Sequence, residues 1–124
     1  MDTVILYRPV GQKELDLIAA SGYREFPPRL PGQPIFYPVL HREYAEQIAR
    51  EWNTKDESSG GVGYVLEFQV DADYLARFEV QKVGNRIHLE YWIPARELVE
   101  FNHHIQGQIR VIGKFPRTSP LMAF

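Results

Sequence analysis

The run His88-Leu89-Glu90-Tyr91-Trp92-Ile93-Pro94, continued by Ala95-Arg96-Glu97-Leu98-Val99-Glu100-Phe101, sets one carboxylate inside a strand that is otherwise apolar or aromatic and that a proline ends. Strand alternation puts His88, Glu90 and Trp92 on one face and Leu89, Tyr91 and Ile93 on the other, so one face is free for chemistry while the other packs. Glutamate is a poor strand former and costly to desolvate. Its place beside an imidazole and an indole therefore marks Glu90 as a candidate functional carboxylate. A solvated residue on a half-open sheet, or a cross-strand ion-pair partner, is the plainer reading of the same position.

Working outward, residues 3–9 predict a first strand and 12–21 a helix, with Leu15, Ile18 and Ala19 on one stripe and Gly22 placed to end it. The segment Phe26-Pro27-Pro28-Arg29-Leu30-Pro31-Gly32-Gln33-Pro34 holds too many prolines for a helix or a central strand and is expected to be an ordered loop. A strand over 35–39 and an amphipathic helix over 41–53 follow. The polar, glycine-rich stretch 53–61 is expected to be an exposed, mobile connection. Alternation predicts a strand at 62–70, and Asp71 is placed to cap a short turn through Leu75. Strands at 77–83 and 86–93 form a hairpin about Gly84-Asn85, with a helix at 95–101 and a last strand at 108–115. A strand and a helix twice over, then a run of strands, predicts a single α+β domain over residues 1–115 with a mainly antiparallel sheet, and a loosely held tail at 116–124.

Two further segments bear on function. The first strand, Thr3-Val4-Ile5-Leu6-Tyr7-Arg8-Pro9-Val10, carries a Leu-Tyr-Arg run just before the first helix. The second, Gly32-Gln33-Pro34-Ile35-Phe36-Tyr37-Pro38-Val39, sets two aromatic rings side by side ahead of a helix containing Ala45 and Ala49. Alternation sends Phe36 and Tyr37 to opposite faces, so only one of them can line a cleft. Arg8 as an ordinary strand-end arginine, and the two rings as plain core, are the simpler readings of each segment alone.

In order and spacing these three segments, spanning Leu6 to Phe101, resemble the ADP-ribosyltransferase fold family. That family opens with a Leu-Tyr-His or Leu-Tyr-Arg strand, continues with a glycine-led aromatic strand and a helix, and ends with a catalytic glutamate strand leading into a short helix. The whole chain also resembles a small bacterial family of similar length labelled ADP-ribosylation/crystallin J1. The resemblance implies a split, mainly antiparallel sheet with two N-terminal helices, and NAD as substrate. It implies that Arg8 and Tyr7 lie at the dinucleotide, Tyr37 stacks on nicotinamide with Trp92 nearby, and Glu90 is the catalytic carboxylate with His88 beside it. The chain departs from the common pattern in carrying Arg8 in place of His, and His88 in place of Glu or Gln two residues before Glu90. That second position helps select the acceptor in arginine-modifying members, so the acceptor is unassigned: protein, nucleic acid or small molecule.

The chemistry so implied is cleavage of the nicotinamide glycosidic bond, which leaves positive charge on the ribose as glycoside cleavage does. A carboxylate at Glu90 would stabilise that charge, and the Arg8 guanidinium would bind ribose or phosphate. Two alternatives are an RNA 2′-phosphotransferase-like NAD enzyme, which calls for more basic residues about the site, and a non-catalytic module that binds a nucleotide or a protein.

Composition narrows the rest. The 124 residues, 44% hydrophobic and 13% aromatic, suffice for one core. No apolar run approaches the roughly 20 residues that cross a bilayer, and the start lacks a signal-like pattern, so a cytoplasmic protein without membrane partners is expected. Zero cysteines exclude thiol nucleophiles and Cys-based zinc sites. A net charge of -2 gives no general case for nucleic-acid binding. His103 and His104 are adjacent, a poor spacing for a shared metal, and read as surface residues; no metal is expected. Asp71 and Asp73 lack the rest of a calcium loop. Gly60-Gly61-Val62-Gly63 precedes a strand instead of the helix that a phosphate loop needs.

Overall fold

The computed structural model describes residues 2–116. It is an α+β fold whose sheets are antiparallel throughout the described residues. β1 (Thr3–Val10) pairs along its whole length with β3 (Val62–Asp71), which pairs on its other edge with β7 (Ile105–Pro116). On the free edge of β1, Val39 bridges Tyr7 on one side and Glu90 on the other. The Tyr7 and Val39 amides and carbonyls exchange bonds of 2.9 and 2.8 Å, and Leu40 and Pro38 bond to β5 (Leu89–Tyr91), which pairs with β4 (Val80–Lys82). β2 (Ile35–Phe36) pairs apart from these with β6 (Ile93–Pro94).

Two layers of packing follow from alternation. Leu6 and Val10 of β1 and Leu66 and Phe68 of β3 face a core that includes Leu15 and Ile18 of α1 (Gln12–Ala20) and Leu98 and Phe101 of α4 (Leu98–His103). Phe26, Phe36, Phe68 and Phe101 form its centre, with ring centroids 4.8 to 6.3 Å apart in tilted or edge-on pairs. The opposite face, with Val39 and Val65, is covered by Ala45 and Ala49 of α2 (Arg42–Glu51). Small residues permit this: a Cβ at Gly63 would run into the Ala49 carbonyl, so the helix backbone lies directly on β3.

α1 ends as the sequence predicts. Gly22 takes φ of 77°, its amide donates to Ala19 O and the Tyr23 amide donates to Ile18 O, the paired bonds of a glycine-terminated helix. Several boundaries differ. The predicted strand over 86–93 is two short strands, because the chain changes partner at Trp92, from β4 to β2. The stretch 53–61 is exposed at Lys55, Asp56, Glu57 and Gly60, as expected, but it folds into two 3-10 turns at Asn53–Lys55 and Glu57–Ser59 with Thr54 and Ser59 buried. Ser59 packs against Gly11, where any Cβ would collide with it. β7 begins at Ile105 and reaches Pro116, which pairs with Val62; residues 117–124, most of the expected tail, lie outside the described residues.

Asp71 precedes the short α3 (Ala72–Leu75) but makes no side-chain cap bond. A stronger partner takes its carboxylate. It lies 2.8 Å from His104 Nδ1 and accepts from Gln106 Nε2 at 2.7 Å. His104, expected at the surface, is half-buried, stacked on Tyr74 at 4.2 Å, with Nε2 3.1 Å from Glu100 Oε1. His103 Nδ1 also approaches Glu100, and Arg77 lies over the Tyr74 ring.

The bond to Asp71, then that to Glu100, raises the His104 pKa against the opposing effect of burial. The bond to His104, then that of Gln106, lowers the Asp71 pKa, again against burial. The raised imidazole contributes stability that is complete below its unfolded pKa of about 6.5 and is lost as pH rises through the folded value. The lowered carboxylate contributes stability present above about pH 3.9 and lost as pH falls through its folded value. The clasp is therefore tightest between about pH 4 and 6.5. His104→Gln should flatten the fall in melting temperature between pH 5.5 and 8.5; an identical fall in both proteins would take His104 out of the pH response.

Phe36 is 1% exposed and Tyr37 40% exposed. Phe36→Ala should then cost roughly 3–5 kcal/mol in denaturant unfolding, and Tyr37→Ala well under half of that.

Candidate functional site

The sequence marks six residues, and the structure divides them between the two faces of the sheet. Arg8 pairs with Leu66 and points, like Leu6 and Val10, to the phenylalanine core side. Tyr7, Val39 and Glu90 are successive bridge partners, so their side chains share the opposite face, that of α2. Arg8 and Glu90 are each 8% exposed, on opposite sides of the backbone sheet. An NAD cleft bordered jointly by Arg8, Tyr37 and Glu90 is therefore not assembled.

On the α2 face, both oxygens of the Glu90 carboxylate are engaged. Tyr44 of α2 donates its hydroxyl to Oε2 at 3.0 Å, and the Trp92 indole donates Nε1–H to Oε1 at 2.7 Å. The Trp92 ring is 45% exposed and stands edge-on to Tyr37 with centroids 6.4 Å apart. His88 stacks on Tyr44 at 4.4 Å. Its Nδ1 lies 3.2 Å from the Val83 carbonyl and its Nε2 lies 3.1 Å from Gln47 Oε1 and 3.3 Å from Asn85 Nδ2. Both ring nitrogens are turned into the protein, which makes His88 a strut behind Tyr44. Tyr7, half-buried, packs with Tyr44 beside the small core under α2. Glu90 is thus joined to His88 through Tyr44 and to Tyr37 through Trp92.

On the other face, Arg8 directs its fork at Glu14 of α1, with Nε to Oε2 at 2.7 Å and Nη2 to Oε1 at 2.9 Å. Nη1 reaches the Tyr37 carbonyl at 3.5 Å and the guanidinium lies 4.6 Å over the Phe36 ring. A bidentate pair over an aromatic face is the geometry that suits a desolvated guanidinium. Removing one partner of such a pair typically costs about 3–5 kcal/mol. Arg8 lines a cleft of about 350 Å³ together with Lys13, Glu14, Arg29 and the rings of Pro27 and Pro28. Three cations and two carboxylates, Glu14 and Asp56, border it. An adjoining cleft of about 370 Å³, with Leu17, Phe26, Leu98 and Val99 in its walls, is mainly apolar.

Tyr44, Glu14 and Arg29 were not among the residues that the sequence singled out. Tyr44 had a readable signal, a ring with a polar tip four residues before Ile48 on an otherwise polar helix. Glu14 is a first-turn carboxylate one helical turn beyond a basic strand, a pattern too common to mark it. Among the described residues no group of three or more His, Cys, Asp or Glu could hold a metal ion, and no helix is long and apolar enough to cross a membrane. No family model, curated protein or solved structure matches the chain.

Burial first, then the Glu90 hydrogen bond and its charge, push the Tyr44 phenol up to about 12. In Glu90→Gln the last two causes lessen or vanish, so the Tyr44 ring carbon, followed by NMR in tyrosine-labelled protein, should titrate lower than in the parent. An unchanged midpoint would place Tyr44 away from the carboxylate in solution.

Proposed function

We propose that the protein is a nucleotide-binding module that seats the phosphates of its ligand in the cleft over Arg8, with NAD the ligand that the family resemblance implies. The observation that carries this reading is the separation of Arg8 from Glu90. A dinucleotide held by the buried guanidinium meets Arg29, Lys13 and Glu14, and has the sheet between it and the Glu90 carboxylate. Binding needs only the first set; transfer needs both on one ligand.

A second reading, ADP-ribosyl transfer to an acceptor, draws support from the α2 face. Glu90 is held by two donors beside the open rings of Tyr37 and Trp92, a carboxylate and an aromatic surface of the kind that a ribosyl-nicotinamide would use. In that reading some residue other than Arg8 takes the diphosphate. An RNA 2′-phosphotransferase-like activity draws no such support, since Arg8 points to the opposite side of the sheet from Glu90.

NAD binding and nicotinamide release, measured with and without cell extract as a source of acceptor, separate the two. For the binding module, Arg8→Lys keeps the charge but loses the fork and should weaken NAD binding about tenfold, the scale of one charge-assisted hydrogen bond. Glu90→Gln should leave affinity within about twofold, and no nicotinamide should be released. Release by the parent protein that disappears in Glu90→Gln would establish transfer instead.

A further inference from the structure

We propose that Arg29 is the second arm of a diphosphate clamp, selecting ligands with two linked phosphates over those with one. This deepens the reading of the Arg8 cleft as a nucleotide-phosphate site and rests on it. Arg29 lies in the proline-rich loop, which the sequence reading left without a role. Its Nε–H donates to the Ile35 carbonyl at 3.0 Å, which fixes the guanidinium by one edge. Its two terminal amino groups meet no acceptor among the described residues. Pro27 and Pro28, whose backbone φ is fixed by their rings, precede it in the cleft wall and hold the loop that carries it.

The charge balance of the cleft points to the ligand. Glu14 is engaged by both bonds of the Arg8 fork, and the three cations Arg8, Lys13 and Arg29 outnumber the two carboxylates, Glu14 and Asp56, that line the cleft. Burial, then the positive charge of Arg8, lowers the Arg29 pKa, with Glu14 and Tyr37 only partly offsetting the effect. Two cations set close enough to repel, one with its terminal donors unmatched, form a site that gains most from two linked anionic groups, one against each guanidinium. A diphosphate supplies adjacent phosphoryl groups, one for each fork; a monophosphate can satisfy only one fork well. Lys13, exposed at the rim, adds a point charge without a directional fork. Glu14 stands in for the anion at Arg8 until a ligand takes its place.

The full chain is to be titrated with inorganic pyrophosphate, ADP, AMP and orthophosphate by calorimetry, at fixed low salt because the interaction is ionic. The parent protein is expected to bind ADP and pyrophosphate at least about tenfold more tightly than AMP and orthophosphate, the increment of one charge-assisted contact. Arg29→Gln should erase that preference, losing about tenfold for ADP while AMP changes by less than about threefold. Arg29→Lys, which keeps the charge but not the fork, should recover only part of it, and unchanged melting temperatures show that the loop remains folded. Equal loss for ADP and AMP in Arg29→Gln, or no loss for either, overturns the clamp while leaving the Arg8 cleft as a nucleotide site. Failure of the parent protein to bind any of the four overturns both.

Discussion

β1 is hydrogen-bonded on both edges, to β3 over its whole length and to Val39 at Tyr7, and the placement of every candidate group follows from that. A strand held on both sides cannot turn about its axis, so Leu6, Arg8 and Val10 are committed to one face and Tyr7 to the other. A slip of one residue would carry Arg8 under α2 and bring Tyr7 into the phenylalanine core. The close seat of Ala49 on Gly63 and the depth of Leu6 and Val10 oppose it from both sides.

That commitment forces a guanidinium toward an apolar core, where a lone charge would be strongly disfavoured. The structure offsets the cost locally: Glu14 receives two of the nitrogens, the Tyr37 carbonyl lies near a third, and the Phe36 face covers the group. Phe36 is a core ring, 1% exposed, that meets Phe26 and Phe101 and also carries the guanidinium on its face. One side chain therefore joins the packing of the aromatic core to the seat of Arg8.

What could be read from the sequence was what depends on near neighbours. The α+β order of elements, the end of α1 at Gly22, the pairing of β4 with β5, and the opposite fates of Phe36 and Tyr37 follow from propensity and alternation. The sharing of a face by Glu90 and Trp92 was legible for the same reason, although the bond between them was not. The division of Arg8 from Glu90 was hidden because it depends on the register of Tyr7, Val39 and Glu90, three positions brought together only by long-range pairing. Asp71 stands at the N-cap position of α3 but makes no side-chain cap bond, because its carboxylate is taken by His104 at the end of α4 and Gln106 of β7, more than thirty residues away. The exposure of Lys55, Asp56, Glu57 and Gly60 followed from the polar composition of the stretch 53–61, whereas the burial of Ser59 did not, because it depends on a close seat against Gly11 far away in sequence.

The two faces ask different things of a ligand. Glu90 has one donor on each oxygen, so a carboxylate with up to four acceptor positions keeps room for a further hydroxyl or cation beside Trp92. The Arg8 cleft, with cations in excess, favours an anion. A single dinucleotide carries both kinds of group, but Arg8 and Glu90 point to opposite sides of the sheet. A protein evolved to stabilise a ribosyl cation gains from a carboxylate near the bond that breaks, already aimed at the developing charge. In this fold Glu90 is aimed at the α2 face and the cation-lined cleft opens on the other, so the two groups are built and balanced separately.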